Sequence, residues 1–350
     1  MPGSKYIPFL EVTRGSTVES VHFGAAAVVD SQGQLLAQAG DSHIVTFLRS
    51  SAKPFQALPL VELGGVEAFG LTEQEIALMC ASHSGTDDHV AVAQSIQRKV
   101  GVSEEDLLCG THPPYHEPTA RRLVLLGVEP TPNRHNCSGK HTGMLAQARL
   151  RGLPIEDYIN PQHPVQQLDL QVFAEMCGVP REEIALGIDG CSAPVFAIPL
   201  RNAALGYARL VDPVGAGLEE GRAAACQRIV SAMTHYPVMV GGPERFDTVL
   251  MEVTGGKILA KSGAEGFQGL GILPGVLRPG SHGVGVALKM ADGDLGGRAV
   301  RTAAIAILRQ LGALSAEQSR ELARFDRRPI YNFRKLEVGE IRPIFELQDA

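Results

Sequence analysis

Ser50-Ser51-Ala52-Lys53-Pro54 places a lysine three residues after a serine. On a helix, positions i and i+3 share a face, so the Lys53 amine can lie beside the Ser50 hydroxyl. A serine alone is a weak nucleophile. A lysine can serve as its base where burial or nearby positive charge lowers the amine pKa from about 10.4. Pro54 suits the first turn of a helix, where a missing N–H costs little. Ser50 then sits at a helix start, whose dipole favours a developing alkoxide. Alone, the pattern is common enough to be a capped helix with a solvated lysine.

A second lysine comes late. Lys261-Ser262-Gly263 closes the strand-like run Lys257-Ile258-Leu259-Ala260. Side chains alternate along a strand, so Lys261 and Gly263 share a face, and the glycine lets a substrate approach the backbone. Ser-x-x-Lys early and Lys-Ser/Thr-Gly late is the order of serine β-lactamases and penicillin-binding proteins. Between them, Ser82-His83-Ser84-Gly85 offers either a second active-site serine or an ordinary N-cap run.

His135-Asn136-Cys137-Ser138-Gly139-Lys140-His141 and Gly187-Ile188-Asp189-Gly190-Cys191 are dense in soft donors. Thiolates and imidazoles are the usual zinc ligands, and ligand chemistry alone points to Cys137 and Cys191 with His135 or His141. The spacing matches no zinc finger, and two buried free thiols in Gly-rich turns are the competing reading. His112 and His116, around Pro113-Pro114-Tyr115, read as surface loop residues. No P-loop and no Gly-x-Gly-x-x-Gly after a strand is present, so no nucleotide site is expected.

These groups need a frame. Val21–Val29 and Gln34–Gln38 read as strands about a turn at Ser31-Gln32-Gly33. Helices are expected at Phe55–Leu63 (bent at Pro59), after a Thr72/Glu75 capping box, and at Asp87–Gly101, Thr119–Leu126 and Gly143–Gly152. Further helices are expected at Pro164–Cys177, Glu219–His235 and Arg298–Leu311. Late strands are expected at Thr248–Thr254 and Lys257–Lys261 around a Gly255-Gly256 hairpin, then at Gly269–Leu273 and Gly283–Met290. Strands at both ends with helices between predict an α/β (α+β) fold, one antiparallel sheet flanked by helices. Residues 1–350 read as a single unit with a mainly helical region at about 50–240.

A chain of 350 residues, 44% hydrophobic and 20% charged, can bury a substantial core. A formal net charge of −6 without a basic patch argues against nucleic acid or an anionic membrane as partner. The opening Met1-Pro2-Gly3-Ser4-Lys5-Tyr6-Ile7 lacks a charged-then-apolar leader pattern, and no uncharged apolar run reaches the roughly 20 residues that span a bilayer. A cytoplasmic protein is expected. Cys80, Cys109, Cys137, Cys177, Cys191 and Cys226 are too sparse for a disulfide scaffold, which leaves reduced thiols or metal ligands.

Taken in order, five blocks resemble those of the Rhizobium etli-type L-asparaginases, the class 3 asparaginases of the asparaginase II family. They are Leu48-Arg49-Ser50-Ser51-Ala52-Lys53-Pro54, Cys80-Ala81-Ser82-His83, the His135–His141 block, the Gly187–Cys191 block and Ala260-Lys261-Ser262-Gly263-Ala264-Glu265-Gly266. The resemblance spans nearly the whole chain. It implies an amidohydrolase that turns L-asparagine into L-aspartate and ammonia, on a fold similar to serine β-lactamases and β-lactamase-like glutaminases. It implies two catalytic serine–lysine pairs, Ser50 with Lys53 and Ser82 with Lys261. It also implies Zn2+ held by Cys137, Lys140 and Cys191, with a lysine where ligand chemistry suggests histidine. A ligating lysine must first lose its proton.

Arg49 is expected to clamp the substrate α-carboxylate and Asp189 to orient a ligand or the substrate amine, with His141 as a further substrate-binding group. A homodimer is expected. The nearest alternative is a glutaminase or another serine amidohydrolase or acyl transferase of the same fold, since one methylene is worth only ~1–3 kcal/mol in a pocket. A zinc-containing amino-acid-binding sensor would keep the metal set and need neither serine–lysine pair.

Overall fold

The apolar, β-branched runs at the two ends of the chain meet in one sheet. The computed structural model describes residues 5–350; Met1–Ser4, part of the segment read for a leader, lie outside the described residues. In chain order the first six strands are β1 (Ile7–Arg14), β2 (Thr17–Asp30), β3 (Leu35–Ala39), β4 (Val45–Phe47), β5 (Ala185–Ile188) and β6 (Pro194–Pro199). The rest are β7 (Ile258–Ser262), β8 (Phe267–Ile272), β9 (Val284–Met290), β10 (Arg328–Tyr331), β11 (Glu337–Pro343) and β12 (Gln348–Asp349). Among the described residues, the 9-stranded sheet runs β10-β11-β1-β2-β9-β8-β7, with β3 beside β2 and β12 beside β3. A second, 3-stranded sheet runs β4-β6-β5. Every pairing is antiparallel. The fold is therefore mixed α/β, an antiparallel sheet flanked by helices.

Glycine sets how closely the helix Leu200–Val211 lies on β8 and β9. A Cβ at Gly285 would stand 1.8 Å from Ala204 O, and one at Gly269 would stand 2.2 Å from the Tyr207 ring. Any larger residue would lift the helix off the sheet. That contact fixes Tyr207, which reaches into the site described below. The helix Ala299–Gln310 packs on β9, β11 and β1, and Val284 through Leu288 are buried between the two helix layers. Lys53–Glu62 is buried from Lys53 to Val61, enclosed by the helices Ser138–Leu150, Pro164–Cys177 and Glu220–His235. A helix covered on all sides is a core element, so the lysine at its start is buried with it.

One sequence expectation fails. Thr248–Thr254 is not a strand; Phe246–Val253 is a helix, and Gly255 and Gly256, at φ 58° and 75°, end it instead of turning a hairpin. Their N–H groups bond Glu252 O and Met251 O, the usual way a glycine closes a helix. The region at about 50–240, read as mainly helical, also contains β5 and β6. Among the described residues no helix is long and apolar enough to cross a membrane.

Candidate active site

The small sheet carries one wall of a cleft. After β4, Leu48 N–H bonds Phe196 O in β6 at 3.1 Å. Arg49 then takes a left-handed φ of 51°, a conformation that costs a non-glycine residue about 1–2 kcal/mol. Its guanidinium is held by Asp189, whose Oδ1 lies 2.8 Å from both Nε and Nη2. Asp189 directly follows β5, in the hairpin to β6, and its Oδ1 also accepts the Gly190 N–H at 2.8 Å.

The 3-10 turn Arg49–Ala52 feeds the helix at Lys53, with Pro54 in its first turn. Ser51 is tied inward: its hydroxyl donates to Lys261 O at 2.5 Å, and its carbonyl accepts Tyr207 OH at 2.7 Å. Ser50 is thereby turned into a cleft of about 660 Å³, lined also by Arg49, Asp189, His112, Tyr115 and Ala264. The end of β7 rides against this turn, since a Cβ at Gly263 would stand 2.4 Å from Leu48 O. Neither the Ser50 nor the Ala264 N–H donates a hydrogen bond among the described residues.

Below the cleft, Ser82 lies between two buried lysines. Lys53 Nζ is 3.0 Å and Lys261 Nζ 2.9 Å from Ser82 Oγ. Lys53 also donates to Ala81 O (2.6 Å) and Asn136 O (3.4 Å), and Lys261 donates to Ser262 O (2.9 Å). The expected Ser50–Lys53 hydrogen bond is not made; Lys53 faces Ser82, which both lysines share. Burial, helped by the charges of Lys53 and Arg245 and opposed by Asp247, pushes the Lys261 amine down to about 7. A lysine at that value can take or give a proton near neutrality.

Beside this chain Cys137 and Cys191, both buried, meet Lys140, whose Nζ is 3.0 Å from Cys191 Sγ. The hydrogen bond with Cys137 holds Cys191 well below the usual thiol range, and Lys140 and His141 add to this. The same bond and burial push Cys137 up. Burial opposes the charge on Lys140, yet the two sulfurs hold its amine above the usual lysine range.

His141, expected from sequence to bind substrate, lies behind the cleft wall. It is fully buried, its Nδ1 is 2.6 Å from Tyr158 OH, and the ring also interacts with the Cys191 sulfur. It does not line the cleft. His135 does line it, with Nδ1 accepting the Cys137 N–H at 3.0 Å. Among the described residues no group of three or more His, Cys, Asp and Glu is placed to hold a metal ion. The implied set has two such residues and a lysine, and it fits a soft cation: two sulfurs and an amine converge in a buried site.

His112, read from sequence as a loop residue, stands in the cleft wall, where its Nε2 accepts the Asn136 N–H at 3.0 Å. Only its place next to Pro113-Pro114-Tyr115 hinted at this. Cys80, Cys109 and Cys226 are buried thiols pushed up to about 12 by burial.

A model of the L-asparaginase II family matches residues 10–343. The chain belongs to this family. Membership makes it an amidohydrolase. Among solved structures this L-asparaginase II family member is similar to a Bacillus glutaminase in the presence of 4.3 M NaCl, at 14% identity over 83% of this chain and 92% of that chain, TM-score 0.37. It is also similar to the Bacillus subtilis glutaminase YbgJ in covalent complex with 5-oxo-L-norleucine, at 13% identity over 82% and 88%, TM-score 0.37. Mglu in its native form matches at 15% identity over 84% and 65%, TM-score 0.41. No curated protein matches the chain.

Proposed function

We propose that the chain hydrolyses L-asparagine to L-aspartate and ammonia through an ester on Ser50. The observation that supports this most is the Lys53–Ser82–Lys261 chain, with both amines buried, next to the turn that carries the cleft-lining Ser50. Arg49 offers the substrate carboxylate a forked donor, and Asp189 offers its ammonium an acceptor. Lys53 passes a proton through Ser82 to neutral Lys261 and, freed of it, takes the Ser50 proton as Ser50 attacks the side-chain amide carbon. The unengaged N–H groups of Ser50 and Ala264 are oriented donors for the oxyanion. Ser82 passes a proton to the departing nitrogen and regains one from a lysine, so ammonia leaves and the acyl group stays on Ser50. Water then cleaves the ester: its OH goes to the acyl carbon and its proton passes through the chain to Ser50 Oγ, restoring the hydroxyl.

Cys137, Lys140 and Cys191 are proposed to hold zinc. When bound, the metal would replace the protons of Cys137 and Lys140 and pin the Cys137 turn to the β5–β6 hairpin.

The test is ammonia release from L-asparagine and L-glutamine side by side, with Ser50→Ala as control. Release from asparagine that falls at least ~10³-fold in the variant is expected. Full turnover in Ser50→Ala would discard the nucleophile, and release from glutamine alone would discard the substrate.

A further inference from the structure

Asp247 lies outside the cleft and is buried, in the first turn of the helix Phe246–Val253. A carboxylate at a helix N-terminus is electrostatically favoured. Its Oδ2 accepts the Ser262 N–H at 2.8 Å, and its Oδ1 accepts the Ser262 hydroxyl at 2.7 Å and Gln268 Nε2 at 3.2 Å. Both oxygens therefore act as acceptors toward neutral donors. Asp247 forms no ion pair among the described residues.

Alternation along β7 places Ser262 and Lys261 on opposite faces of the strand. Asp247 grips one face while Lys261 reaches Ser82 from the other, and the Ser262 carbonyl accepts the Lys261 amine at 2.9 Å. Ser51 Oγ holds the Lys261 carbonyl from the Ser50 turn. The Lys261–Ser262 peptide group is thus held on both sides, its carbonyl by Ser51 in the Ser50 turn and its N–H by Asp247.

We propose that Asp247 is the positioning residue of the lysine–serine chain: from behind β7 it holds Ser262 by main chain and side chain together, which aims Lys261 at Ser82, and it supplies the negative charge that Lys261 faces. It rests on the reading of Ser50, Lys53, Ser82 and Lys261 as the reacting groups. Around Lys261 stand Lys53 from the helix Lys53–Glu62, Arg245 and Asp247 from the start of Phe246–Val253, and Cys137 from the turn before Ser138–Leu150. Cys80, at the end of Glu73–Met79, is a neutral thiol at about 12. Lys53 and Arg245 push the Lys261 proton off, and Asp247 holds it on.

The experiment is a side-chain NMR titration of ¹³C-lysine-labelled protein, with Lys261→Arg used to assign the resonance, in wild type, Asp247→Asn and Ser262→Ala. Loss of the Asp247 charge is expected to move the Lys261 titration down by about one pH unit. Ser262→Ala, which keeps that charge, is expected to leave it within a few tenths of a unit. Kinetics run on the same proteins: a kcat loss of roughly 10²-fold in Asp247→Asn with KM nearly constant marks lost positioning. Asp247→Glu is expected to recover part of kcat.

An unmoved Lys261 titration in folded Asp247→Asn overturns the proposal. If Asp247→Asn fails to fold, Ser262→Ala decides: wild-type kcat overturns it, and a loss of about tenfold at constant KM supports it. The titration needs no substrate, so a wild-type protein inactive on asparagine would refute the function reading and leave this one standing on the NMR.

Discussion

Two lysines with buried amines mark the two polar clusters of the site. Lys261 shares Ser82 with a second lysine, and burial with that like charge pushes its amine down to about 7. Lys140 is buried as well, yet Cys191 at 3.0 Å and Cys137 hold its proton on. Equal burial is accompanied by opposite shifts because the neighbours carry opposite charge. Under the proposed function one cluster moves protons and the other exchanges them for a cation.

Replacing each lysine separates the two roles. Lys261→Met is expected to lower kcat by roughly 10³-fold while leaving bound zinc unchanged. Lys140→Met is expected to lose most of the zinc, measured by elemental analysis, and to cost about 10–100-fold in activity. Full zinc in Lys140→Met would break the comparison.

The pH profile sharpens it. The chain must have room for the Ser50 proton, and Lys261 provides it on losing its own. kcat/KM is therefore expected to rise about tenfold per pH unit up to about 7 and then level off. An acid limb centred two units lower would reassign the group. Stability follows with a worked sign. Between about 7 and about 10 an unfolded lysine binds a proton that native Lys261 does not, so this group's contribution to stability rises with pH and is lost as pH falls.

A carboxyl gives the smallest effect. Burial raises Asp169 to about 7 against the hydrogen bond from Gln147. Between its unfolded value of about 4 and about 7 the native state holds the extra proton, so stability falls as pH rises. Asp169→Asn is expected to raise stability in urea unfolding at pH 8 and to leave it unchanged at pH 4. An equal change at both pH values would remove the titration argument.

Local signals were legible where one residue type decides an element. Pro164–Cys177 is recovered at both ends, because Pro164 opens the helix and Gly178, in the left-handed conformation, closes it. The Thr72/Glu75 capping box forms as read. Thr248–Thr254 misled because its β-branched residues suit a strand, while burial of Phe246, Leu250 and Met251 on one side favours a helix. β10 and β11 went unread because they carry Pro329, Pro343 and several charges, as strands near a sheet edge do. Within the site, the serine and lysine motifs were visible as separate blocks. That Ser82 joins both lysines depends on three distant segments meeting. Asp247 carries no motif and stands 15 residues from the serine it holds.

The large sheet has a consequence for biosynthesis. Leu10 pairs with Pro343 and Val12 with Ile341, so one flank of β1 stays open until β11 has left the ribosome. Lys261 lies on β7, which joins β2 through β8 and β9, so the proposed relay needs only strands made before β11. Truncation before β11 would yield a chain with exposed edge hydrogen bonds prone to aggregate.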